Sequence, residues 1–121
     1  MPALILLLVW CVMSAAWNVA GVALLSRGRR APGPVASTKV AIVLVVAGLL
    51  LVLAFSLAPI VFILLALVAA GLALQAIANA FRADPSLWPS DFWRYAGVAI
   101  NGLAVAGALL VILPLFAASV R

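Results

Sequence analysis

The sequence predicts an all-α integral membrane protein with four transmembrane helices, and three observations carry that reading. Of 121 residues, 70% are apolar and only 7% are charged, against roughly 45–50% and about 25% in soluble domains. The apolar residues fall into runs long enough to cross a bilayer, and the charged ones gather in two segments between those runs. So little charge cannot build a water-facing surface, whereas hydrocarbon accepts Leu, Val, Ile and Ala outward.

The first span is expected over about residues 3–25, roughly 35 Å of helix at ~1.5 Å per residue. It reads as a span and not as a signal peptide, because no basic segment precedes it and the apolar run is too long. Residues 26–39, SRGRRAPGPVASTK, follow as a solvated loop: Pro32, Gly33 and Pro34 break helices, and four residues are basic. From Val40 to Phe81 the sequence is almost continuously apolar. As one helix this stretch would be roughly 63 Å long, about twice the hydrocarbon thickness, so it must turn back. Pro59 suits the first turn of a new helix, which places an external turn at 56–58 between spans at 40–55 and 59–81. A second loop covers 82–92, with Trp88, Phe92, Trp93 and Tyr95 as an interfacial aromatic belt. Ser90 or Asp91 caps the last span, about 93–118, and Pro114 falls near its far end.

Orientation follows from the basic residues. Arg27, Arg29, Arg30 and Lys39 in the first loop, with Arg82 and Arg94 around the second, face one side; Arg121 alone faces the other. The positive-inside rule places both loops in the cytoplasm and both termini on the external, periplasmic side. The first-loop cations then meet anionic lipid headgroups. A net charge of +5 is accounted for in this way, without nucleic acid. A single Lys among many Ala, Val, Leu and Arg residues points to a GC-rich bacterial genome, and hence to a bacterial inner membrane.

The composition excludes much chemistry. There is no His and no Glu, so the usual ligands of haem and zinc are missing and no cofactor or metal is expected. The only acids, Asp84 and Asp91, lie in the second loop, leaving no intramembrane carboxylate for proton coupling. Each acid has an arginine close in sequence, Arg82 or Arg94, which makes them ion-pair or cap residues before a catalytic pair. Cys11 is the lone cysteine and has no internal partner.

Two four-helix families of similar size offer a comparison. Small multidrug transporters depend on a glutamate in their first helix, which this chain lacks. Asn101-Gly102 resembles the Asn-Gly pair in a membrane helix of dimeric fluoride channels. That family's Thr-Thr-Phe-Ser element and early Gly-rich Arg-Tyr segment are missing here. Neither family's function carries over.

What remains is a polar seam. Asn18, Gln75 and Asn101 each sit roughly 10–14 Å inside the loop-side boundary at ~1.5 Å per residue. Helical spacing sets Cys11 and Ser14 beside Asn18, Gly71 and Ala78 beside Gln75 with Asn79 adjacent, and Gly97 and Ala104 beside Asn101. The seam is expected to be helix packing through mutual amide hydrogen bonds; the sharper reading is a substrate or ion path. Trp10 and Trp17 serve bundle packing or a partner surface. The function expected from these exclusions is a non-catalytic accessory or assembly subunit of a larger membrane complex, respiratory or photosynthetic, in contact with lipid and other membrane subunits. The alternative is a small oligomeric channel or transporter along the Asn/Gln seam.

Overall fold

The computed structural model describes residues 2–120 and contains four long helices, each long and apolar enough to cross a membrane. They are α1 (Pro2–Ser26), α2 (Thr38–Leu57), α3 (Pro59–Arg82) and α4 (Asp91–Ser119). The chain is a multi-pass membrane protein whose apolar helices suit contact with a bilayer. Arg121, the single charge set against the loops in the orientation argument, lies outside the described residues.

The sequence explains where each helix stops. Gly28 adopts φ 71°, and two bonds close the end of α1 around it: Gly28 N–H to Leu25 C=O and Arg29 N–H to Leu24 C=O. This pair is a Schellman motif, which needs a residue comfortable in the left-handed region. Ser37 caps α2 with its hydroxyl, accepting from Val40 N–H at 3.3 Å. That cap lets α2 begin two residues before the expected 40, and α2 also runs past 55 to Leu57. The turn expected at 56–58 therefore contracts to Ala58 alone. Ala58 donates to Ala54 C=O and accepts from Phe62 N–H, and Pro59 starts α3 where its missing N–H costs nothing. Phe55 and Phe62 pack edge to face across this hairpin, ring centroids 5.3 Å apart. Between α3 and α4 a single 3₁₀ turn, Pro85–Leu87, is capped by Asp84. Ser90 holds the N-cap position of α4 without a side-chain bond.

Each helix packs on its neighbours in chain order and α4 closes back on α1, forming a ring whose thinnest seam lies between α2 and α3. The interior is built mainly from small residues: Ala66, Ala69 and Ala73 of α3 meet Ala104 and Ala108 of α4, while Leu7 and Leu51 are fully buried. Small residues let helix backbones approach, which drives association where lipid removes the hydrophobic incentive. Bulky Val, Leu and Ile side chains point outward on α2 and α3.

The first loop is not merely solvated. Ala31, Pro32 and Gly33 are buried, because the segment folds back over α1. Gly21 makes this possible: a Cβ there would stand 2.6 Å from Ala36 Cβ. Arg30 donates to the Ser86 carbonyl and, at 3.3 Å, to the Trp88 carbonyl. The two loops are thus tied together at one end of the bundle.

Candidate functional site

Beneath the joined loops lies a cavity of about 750 Å³, within the ~300–1,000 Å³ range of ligand sites. All four helices contribute. The roof is Gly33, Pro34 and Trp88 from the loops; the walls include Ser14, Trp17 and Asn18 of α1, Val43 and Leu44 of α2, Leu72 and Ala76 of α3, and Gly97 of α4. Its lining goes no deeper than Trp10 and Asn101, which are joined by a hydrogen bond from Trp10 Nε1 to Asn101 Oδ1 at 3.1 Å. Below that floor Leu7, Leu51, Phe62 and Ala104 fill the core. The lining residues of α1 and α4 are buried or half-buried, whereas Val40, Val43, Leu72 and Ala76 on α2 and α3 are exposed. The cavity therefore opens sideways, through the thin α2–α3 seam.

The expected seam divides on inspection. Asn18 Nδ2 donates to Ser14 C=O at 2.8 Å and its Oδ1 accepts from Ser37 N–H at 3.0 Å. Asn101 Nδ2 donates to Gly97 C=O at 2.9 Å while its Oδ1 accepts from Trp10. Asn79 lines the cavity from the exposed face of α3. Gln75 is exposed and outside the cavity lining, which corrects its placement in the seam. Its helix turns alanines inward, and the spacing that aligned Gln75 with Gly71 selects the outer face, where both are exposed. Asn18 and Asn101 bond to their own helices and to the loop or an indole, not to one another.

The loop residues also sort differently from expectation. Trp88 is buried under the first loop, so it is a roof element and not part of an exposed belt. Phe92, Trp93 and Tyr95 are exposed; Trp93 stacks edge to face on Trp17, centroids 5.8 Å apart, and on Phe92 at 5.3 Å. Arg27 and Arg29 are exposed. Arg30 is a staple between the loops, and Lys39 lines the cavity.

Arg94 is the most constrained cation. It pairs with Asp91 at 3.2 Å, lies 5.0 Å from the Tyr95 ring centroid and lines the cavity. Its Nε is buried with no hydrogen-bond partner among the described residues. Asp84 does not pair with Arg82; its carboxylate accepts from Ser86 N–H at 2.9 Å. Bonds from the Ser86 backbone and hydroxyl hold the Asp84 carboxyl below the usual carboxylate range. Among the described residues no three His, Cys, Asp or Glu side chains gather where a metal ion could sit.

The charged side chains that line this cavity, Lys39 and Arg94, are both cations. The amide oxygens of Asn18 and Asn101 are already bonded, and the Asn79 amide stands on the exposed α3 side. The indole N–H groups of Trp17 and Trp88 converge on Gly33, where a Cβ would stand 3.3 Å from the first and 3.4 Å from the second. Among the described residues no acidic side chain lines the space. Sequence reasoning missed this convergence, because Trp17 on α1 and Trp88 beyond α3 are far from Gly33 along the chain and no local pattern joins them. Comparison with protein-family models, with curated proteins and with solved structures returns no match.

Proposed function

We propose that this chain is a non-catalytic accessory or assembly subunit of a larger membrane complex, respiratory or photosynthetic, in a bacterial cytoplasmic membrane. Both loops face the cytoplasm and both termini face outward. The observation that carries the reading is how the interior amides are used. Asn18 fixes the start of α2 and Asn101 fixes Trp10, so the polar groups of α1 and α4 serve the scaffold. A scaffold with a bulky apolar exterior suits a protein that holds a place among other helices. The basic asymmetry between the two ends supports the orientation.

The second reading, a small oligomeric channel or transporter along the amides, has less support. Gln75 faces away, and the cavity ends at the Trp10–Asn101 floor with packed side chains beneath it. A single copy offers no continuous path along the seam. The accessory reading is tested by deleting the gene and quantifying the host's membrane complexes. One complex should fall in amount or heat stability while its remaining molecules keep their specific activity. Unchanged levels of every complex would overturn the proposal.

A further inference from the structure

We infer that the loop-side cavity holds one anionic phospholipid, its phosphate under the loop roof and an acyl chain in the α2–α3 opening. The recognition chemistry is an excess of positive charge: Lys39 and Arg94 line the space, and among the described residues no acidic side chain does. Among the described residues Arg94 Nε is buried without a hydrogen-bond partner, Lys39 has no carboxylate partner, and the indole nitrogens of Trp17 and Trp88 meet at Gly33 under the roof. Asn18 Oδ1 and Asn101 Oδ1 already accept. A ligand bringing negatively charged acceptor oxygens completes this set, whereas a cation or a hydrogen-bond donor does not. Among the described residues Asp91, on Arg94, is the only carboxylate bound to a lining group; it offsets part of one charge and leaves the cavity cationic.

The opening supplies the second half of the argument. Val40, Val43, Leu72 and Ala76 are exposed along the mouth, a lateral apolar cleft between two helices apolar enough to lie in a bilayer. A phosphate arriving from water would have no use for such a cleft. A lipid diffusing in the leaflet places its chain there as its headgroup reaches the cations. The inference goes beyond the accessory role and does not depend on it.

The test is native mass spectrometry of the full-length protein, purified in mild detergent and equilibrated with equal amounts of phosphatidylglycerol and phosphatidylcholine. The wild-type chain should retain one phosphatidylglycerol, with a preference of about fivefold or more, the size expected for roughly one uncompensated cation near the headgroup. Lys39→Gln, a change at an exposed position, and the double variant Lys39→Gln/Arg94→Gln should reduce that preference stepwise. Ala76→Phe, which fills the cleft and leaves both cations in place, should lose the lipid altogether. Equal retention of the two lipids by the wild type would overturn the inference, as would a preference untouched by Lys39→Gln and Ala76→Phe. Displacement of the lipid by inorganic phosphate, with a matching shift in tryptophan emission, would assign the cavity to a soluble phosphate and overturn it equally. Occupancy of the cleft by a second copy of the chain, seen as a dimer free of lipid, would do the same.

Discussion

Asn18 and Asn101 occupy the same cavity yet answer to different partners, and that difference sets what their removal does. Asn18→Leu breaks the tie to Ser37 N–H, and Asn101→Leu frees the Trp10 indole. Each is expected to cost about 0.6 kcal/mol, up to ~2, as interhelical polar contacts in membranes do. The two losses should add, because the residues share no hydrogen-bond partner. Gln75→Leu, on the outer face, should fall within ~0.5 kcal/mol of wild type. Detergent unfolding of the three variants and the double variant measures all of this; strong coupling between Asn18 and Asn101 would contradict the geometry. Asp84 carries a separate, pH-dependent expectation. Its carboxyl is held below the ordinary value by Ser86, so the order it gives the 84–87 turn is complete above that value, near 3.9. This contribution is lost as the pH falls through the lowered value. The Ser86 amide should keep its exchange protection from neutral pH down to about pH 4 and lose it only below that. Loss of protection already between pH 5 and 7 would refute the assignment.

At the scale of elements, the sequence made the helices visible and left the loops obscure. Four apolar runs, a proline at 59 and two basic segments sufficed for the spans, because length against bilayer thickness is a strong constraint. Their ends moved where local bonds intervened. Ser37 extends α2 backward, and Ala58 suffices as a hairpin because Pro59 needs no hydrogen bond. The packed course of residues 31–33 was not legible, since it depends on the space above Gly21 and on Arg30 reaching carbonyls 56 and 58 residues away. Two variants test this picture. Ser37→Ala should cost about 1 kcal/mol through the lost cap. Gly21→Val should cost ~1–3 kcal/mol by overpacking against Ala36 and should expose the 31–37 segment to protease. A Gly21→Val protein with wild-type stability and protection would show that the loop does not rest there.

For the molecule as a whole, the inside and the outside are both apolar, and so hydrophobic periodicity could not say which faces turn inward. Residue size was the better guide. Ala66, Ala69, Ala73 and Ala80 point in, while Leu64, Leu67 and Leu74 on the same helix point out. The cavity was beyond reach for the same reason: it arises where the α2–α3 seam fails to close, and no local pattern records a seam. Orientation is a property at this scale as well. Reporters fused at residue 33 and after residue 121 should read cytoplasmic and external respectively, as six basic residues against one require. An external signal from the first fusion would reverse the topology, and matching signals at both would contradict an even number of spans.

The accessory role stands or falls on whether the chain lives alone. Native electrophoresis of gently solubilised membranes, followed by mass spectrometry of the band that contains the chain, decides it most directly. The expected result is migration in an assembly several times larger than 12.5 kDa, with other membrane chains present in fixed ratio. Migration solely as a monomer or a small homo-oligomer would contradict it.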